Sequence, residues 1–170
     1  MGFCEVGVTP RDGNIGYTAT SLPYPGRYMK PISELLKQHD SILYQIAPTA
    51  SVFDALSCLA KLEVGALLVM QDGKLQGVVS ERDYTRKVAL QGRNSKETTV
   101  AEIMTREPIT VAPQTGTREC MRLMSHRKFR HLPVVDGDKV LGLISIRDIM
   151  DDIIADNEHT ISQLTSYINS

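Results

Sequence analysis

Two stretches of the chain set the same polar residues at the same spacing: Gly77-Val78-Val79-Ser80-Glu81-Arg82-Asp83 and Gly142-Leu143-Ile144-Ser145-Ile146-Arg147-Asp148. In each, a short apolar run leads into a serine, and an aspartate follows three residues later. That pattern has two chemical uses. One is a helix capping box, in which the hydroxyl caps a free N–H and the acid favours the helix N-terminus. The other is ligand recognition, because a carboxylate at a strand end can accept hydrogen bonds from two vicinal hydroxyls, as ribose is held, with the serine adding a donor and an acceptor. A cap alone requires neither the glycine nor the arginine, yet both recur at identical offsets. Arg82 and Arg147 also fit side chains that sit in water or pair with a nearby acid.

The elements that position these residues follow from an internal repeat. Ala47 to Asp83 lies over Ala112 to Asp148 without a gap, at a constant offset of 65 residues. Ala47-Pro48 then matches Ala112-Pro113, Leu67 and Val69 match Leu132 and Val134, and Lys74 and Gly77 match Lys139 and Gly142. Each copy begins with a short extended piece ending at proline, Tyr44 to Ala47 and Thr110 to Ala112. A helix follows, with Val52, Ala55, Leu56, Leu59 and Leu62 at helical spacing behind the cap candidate Ser51. Cys120, Met121, Leu123 and Met124 carry the second stripe. Two apolar runs around Gln71-Asp72-Gly73-Lys74, and two around Asp136-Gly137-Asp138-Lys139, read as hairpins. A closing helix is expected from Glu81 to about Leu90 and from Ile146 to about Ala155. The fold class is α/β (α+β): two β-α-β-β-α repeats packed about a pseudo-twofold axis, since one copy alone leaves its sheet half uncovered.

The boundaries read as an arm over 1–31, repeat 1 over 32–91, a linker over 92–99, repeat 2 over 100–155, and a C-terminal helix or tail over 156–170. The arm holds four prolines and five glycines with no sustained period, and is expected to be loop-like or disordered. Pro31 to Gln38 begins order, and Val100 to Met104 resumes it after a polar linker.

The composition restricts function. With 170 residues, 19 basic against 20 acidic side chains and a net charge of -1, no global field draws the chain to nucleic acid or an anionic membrane. No apolar run reaches membrane-spanning length and no leader pattern opens the chain, so a cytoplasmic location is expected. Cys4, Cys58 and Cys120 form no disulfide framework and no metal-ligand spacing, and Cys58 and Cys120 read as buried hydrophobes. G-x-S-x-G, HExxH, Walker A and G-x-G-x-x-G are all absent from the sequence, so no catalytic residue, catalytic cofactor or metal is assigned.

The doublet, the run Arg130-His131-Leu132-Pro133-Val134-Val135-Asp136 and the two Ser-x-x-Asp endings resemble a tandem cystathionine-β-synthase (CBS) domain pair of the stand-alone bacterial type, over about Ile32 to Ala155. Such pairs bind AMP, ADP, ATP, S-adenosylmethionine or NAD(H). The resemblance implies a first site in which Asp148 takes the ribose hydroxyls beside Ser145, and Arg130 and His131 face the phosphate. Ile42, Tyr44, Val64, Gly65 and Ala66 of the other copy would hold the base, closed by Leu143. A pseudo-symmetric site would use Asp83 and Ser80 for ribose, with Ile109, Phe129 and Val78 around the base, and would borrow Arg82, Arg147 or a partner chain's residue for the phosphate or bind less tightly. Its phosphate end is weaker, because Gly65 and Ala66 occupy the positions of Arg130 and His131. His131 alone also fits a half-buried histidine, and His126-Arg127-Lys128 reads as a solvated helix end.

The expected function is therefore an adenine-nucleotide-binding regulatory module, with AMP, ADP, ATP or NAD(H) as ligand. Homodimerisation through helices is expected, for which the stripe Ile149, Met150, Ile153 and Ile154 is suited, although the same stripe fits a core. A regulated protein is a further expected partner. The alternative is a nucleotide-independent adaptor that docks on an enzyme or transporter.

Overall fold

The computed structural model describes residues 5–8, 30–38 and 42–168. The first half runs β1 (Glu5–Val8), α1 (Ile32–Gln38), β2 (Ile42–Ile46), α2 (Val52–Leu62), β3 (Ala66–Gln71), β4 (Lys74–Ser80) and α3 (Glu81–Lys87), followed by a 3-10 turn over Ala89–Gln91. The second half runs α4 (Val100–Ile103), β5 (Thr105–Arg106), α5 (Thr117–Arg127), β6 (His131–Asp136), β7 (Lys139–Ser145) and α6 (Ile146–Ile168).

Local signals account for most boundaries. Ser51 caps α2 by accepting from the Asp54 N–H at 3.0 Å, and Val52, Ala55, Cys58 and Leu59 turn to the core. Both hairpins close on two-residue loops. Asp72 and Gly73 take positive φ, the I′ pattern, whereas only Gly137 does so in the Gly137-Asp138 loop, as a II′ turn needs. The halves also share a bulge after Val69 and after Val134, and a left-handed helix end at Glu63 (φ 54°) and Lys128 (φ 57°). Each pair is separated by the 65-residue offset of the sequence repeat.

Some expectations change. Within the arm, Glu5–Val8 is not loop but a strand paired antiparallel with β2, whose edge offers unpaired backbone groups as a template for such pairing. Residues 1–4 and 9–29 of that arm, Cys4 included, lie outside the described residues. The extended piece at Thr110–Ala112 reduces to a single parallel bridge, Val111 to Val134, matching the β2–β3 pair Ile46–Val69. Met121 faces outward, so the α5 core stripe is Cys120, Leu123 and Met124. Cys58 and Cys120 are buried, and burial pushes the Cys120 thiol up to about 11.

The largest change concerns the boundary between repeats. Ile32 and Leu35 of α1 pack into the core of the second copy with Cys120, Met124, Leu132 and Ile144. Val100, Ile103 and Met104 pack into the core of the first, with Val52, Leu59, Leu67 and Val79. Matching backbone bonds fix the exchange. The Ile32 and Ser33 N–H groups donate to Thr115 and Pro113, as those of Val100 and Ala101 donate to Ala50 and Pro48. The 92–99 linker is likewise no free spacer, since its Ser95 and Thr98 carbonyls accept from Phe53 and Val52 at the α2 N-terminus. A third apolar cluster, Ala66, Leu68, Val78 and Val140 with Leu43, Met70 and Leu143 against it, joins the halves along their pseudo-axis.

Candidate functional site: the cleft between the repeats

Each Ser-x-x-Asp ending becomes the start of a helix. Asp83 Oδ2 accepts from the Ser80 N–H (3.0 Å) and the Ser80 hydroxyl (2.7 Å). Asp148 Oδ2 accepts from the Ser145 N–H (2.7 Å) and hydroxyl (2.8 Å). Both pairs are capping boxes, with the Asp N–H returning to the serine oxygen at 3.4 and 3.3 Å. The carboxylates are thus held at fixed positions by the helices they start.

Lys87 reaches Asp83 Oδ1 at 2.8 Å and also donates to the Ile103 carbonyl at 2.5 Å. The residue aligned with Lys87 is Asp152, so α6 brings no lysine to Asp148. Asp152 is itself buried and receives Lys30 at 2.9 Å.

The repeated glycines serve packing. A Cβ on Gly77 would stand 2.5 Å from the Thr105 carbonyl, and one on Gly142 would stand 2.7 Å from Leu36 Cδ2. Each glycine therefore lets the exchanged lead-in segment lie against the strand. Their recurrence, which exceeds the needs of a cap, is accounted for by the exchange.

One cleft of about 1260 Å³ runs between the halves and takes in both endings. Its lining includes Asp148, Ser145, Leu143, Arg130, His131, Tyr44, Val64, Gly65 and Ala66 from the first expected site, and Asp83, Ser80, Arg82, Arg147, Val78, Ile109 and Phe129 from the second. Ile42 runs in β2, and its side chain lies outside the described residues. The two sites are therefore parts of one volume. His131 lies on both, since a Cβ on Gly65 would stand 3.2 Å from its Nε2 and its charge environment includes Asp148, Arg130, Arg82 and Asp83. Burial is the largest influence and holds the imidazole below its ordinary pKa; Asp148 pulls the other way, Arg130 and Arg82 reinforce the lowering, and Asp83 opposes it.

Arg82 crosses between halves and donates to the Lys128 carbonyl at 3.0 Å. It satisfies one of the open carbonyls at the α5 C-terminus, a position that favours a cation. The sequence reading missed Arg86, Arg127 and Lys128, which also line the cleft. Arg127 and Lys128 are solvated, as expected, but they stand at the rim, where the left-handed turn at Lys128 swings the chain toward β6. Glu107 was missed as well. It lines the cleft in a left-handed backbone conformation (φ 46°) beside Pro108.

A doubled α/β unit with one cleft on its pseudo-axis defines the class, and the chain belongs to the CBS domain family, whose family model matches residues 40–90 and 100–155. Particular relatives bracket it. The mitochondrial CBS domain-containing protein CBSX3 of Arabidopsis thaliana is 38% identical over 123 residues, 69% of this chain; the chain spans 60% of that relative's length. A solved protein with CBS domains from Burkholderia ambifaria is 44% identical with a TM-score of 0.72, covering 75% of this chain and 96% of that one. A CBS domain protein from Pyrobaculum aerophilum, solved in complex with AMP, is 30% identical with a TM-score of 0.62, covering 70% and 89%. Among the described residues, no helix is long and apolar enough to cross a membrane.

Proposed function

We propose that this chain is a non-catalytic regulatory module that binds an adenine nucleotide in the cleft between its repeats. The observation that carries this reading is the convergence of two capped carboxylates and the Arg130-His131 pair on one volume. The AMP bound to the Pyrobaculum relative supports it. Asp148 receives the ribose hydroxyls, Arg130 and His131 receive the phosphate, and Tyr44, Val64 and Ala66 flank the base. The Asp148 end is the preferred site, because Arg130 and His131 stand at its phosphate end, where Gly65 and Ala66 occupy the matching positions of the other. Since Arg130 and His131 start a strand of one half and Tyr44 and Val64 belong to the other, a bound nucleotide bridges the halves. It regulates through its differential affinity for their relative orientations.

Titration calorimetry with AMP, ADP, ATP, NAD+ and NADH tests the reading. Saturable binding of at least one is expected, with Asp148→Asn weakening it more than Asp83→Asn. Flat titrations across the panel, together with an unchanged melting temperature, would sink the proposal and favour the adaptor.

A further inference from the structure

On the wall of the cleft, Glu107 holds a backbone conformation that neither a hairpin turn nor a helix end explains. Glu63, Asp72, Glu107 and Lys128 are the non-glycine residues with positive φ among the described residues. Glu63 and Lys128 close α2 and α5, and Asp72 lies in the first hairpin turn. Glu107 instead follows the two-residue β5 and precedes Pro108, and a residue before proline is driven toward extended backbone. Its counterpart at the 65-residue offset, Ile42, lies in the regular strand β2. Gly and Asn adopt the left-handed conformation at less cost than a long acid does. Strain of this kind at a cleft points to a use for the side chain.

Sheet register fixes where that side chain stands. β5 pairs with β4 through Thr105 to Val78 and Arg106 to Gly77, so the chain leaves the sheet at Glu107. Val78, Glu107, Ile109 and Phe129 line the same cleft. The carboxylate is thus placed with the three apolar residues expected around the base at the Asp83 end. Its neighbour Arg106 is engaged by the Ala101 carbonyl at 2.9 Å, and no cation among the described residues pairs with Glu107.

A carboxylate at a base edge selects by donor pattern, because it offers only acceptors. Guanine presents two adjacent donors, N1–H and N2–H, which a carboxylate takes in two parallel bonds. Adenine sets its amine beside the N1 lone pair, and a carboxylate repels that lone pair. We propose that the Asp83 end of the cleft takes a guanine nucleotide, with Glu107 accepting from the guanine edge and Asp83 from the ribose. Arg82 and Arg86 of α3 line the same cleft and supply positive charge for the phosphate. The proposal rests on the reading of the cleft as a nucleotide site and gives its two ends different bases.

Calorimetric titration of the full chain with GMP, IMP and AMP tests it. In the Asp148→Asn chain, whose adenine end is weakened, GMP should bind at least about tenfold more tightly than AMP, with IMP, which lacks the N2 amine, between them. Glu107→Gln on that background turns one acceptor into a donor, the pattern that suits adenine, and should reverse the order of GMP and AMP. Glu107→Gly suits the left-handed backbone, so it should abolish the preference in a chain that melts no lower than its parent. If AMP binds the wild-type chain but the Asp148→Asn chain does not prefer GMP, or if the preference survives either substitution of Glu107, the proposal is overturned and the adenine site stands. Flat titrations of the wild-type chain with all three would overturn both.

Discussion

His131 stands where the two halves of the cleft meet, and its protonation ties stability to ligand. Burial holds its folded pKa below the ordinary value of about 6.5, so between those values the unfolded chain binds more protons and stability rises with pH. The contribution is fully present above about pH 6.5 and is lost as pH falls through the folded value. Urea denaturation at pH 7.5 and 5.5 should show this slope reduced in His131→Gln. A phosphate beside the imidazole favours the charged form, so AMP binding should take up protons and tighten as pH falls from 7.5 toward 6, whereas adenosine should not. Calorimetry in buffers of different ionisation enthalpy reads the uptake directly. The carboxylates act differently. Asp148→Ala removes the acid arm of the Ser145 capping box and, on the proposed reading, a ligand group, so it should cost about 0.3–1 kcal/mol of stability in addition to affinity; Asp148→Asn keeps an acceptor for the capping box and separates the two effects.

At the scale of elements, the exchanged lead-in helices explain why two glycines recur. The substitutions should differ in severity because the atoms they meet differ. A Cβ at Gly77 meets the Thr105 backbone carbonyl, which is fixed by the β4–β5 pairing, and one at Gly142 meets the end of the Leu36 side chain, which can rotate. Gly77→Ala should therefore cost roughly 1–3 kcal/mol and Gly142→Ala clearly less, measured by denaturant midpoints at unchanged m-value. The reverse order would mean that β5 yields more readily than α1. Hairpins, the Ser51 cap and both Ser-x-x-Asp helix starts were readable from turn and cap residues, which act within four positions of themselves. The β1–β2 pairing and the α1 and α4 exchange were not, because their partners are remote in sequence.

The whole molecule should unfold as one unit. Each core contains a helix that precedes the other copy in sequence, so neither repeat can lose its core without exposing part of its neighbour's. Calorimetric and van't Hoff enthalpies should agree over a single transition, and two resolved transitions would contradict the exchange as a stabilising device. A nucleotide that bridges the halves should shift that transition as a whole, by about 2.7 kcal/mol at a hundredfold excess over its dissociation constant.

The amino-acid sequence by itself determined the doubled β-α-β-β-α order, the hairpin turns, the capped helix starts and the residue types of the cleft. Periodicity, turn chemistry and capping are local, and a constant offset of 65 residues exposes them twice. Only the tertiary structure decided that the two expected sites are one cleft, that His131 lines it beside Gly65, and that Arg82 spans to the Lys128 carbonyl. It also gave the recurrent Gly77 and Gly142 a packing role, and it divided the α6 stripe into a buried row and an exposed one. Those outcomes depend on which segments meet across the pseudo-axis, and chain connectivity alone does not fix that choice: core burial does.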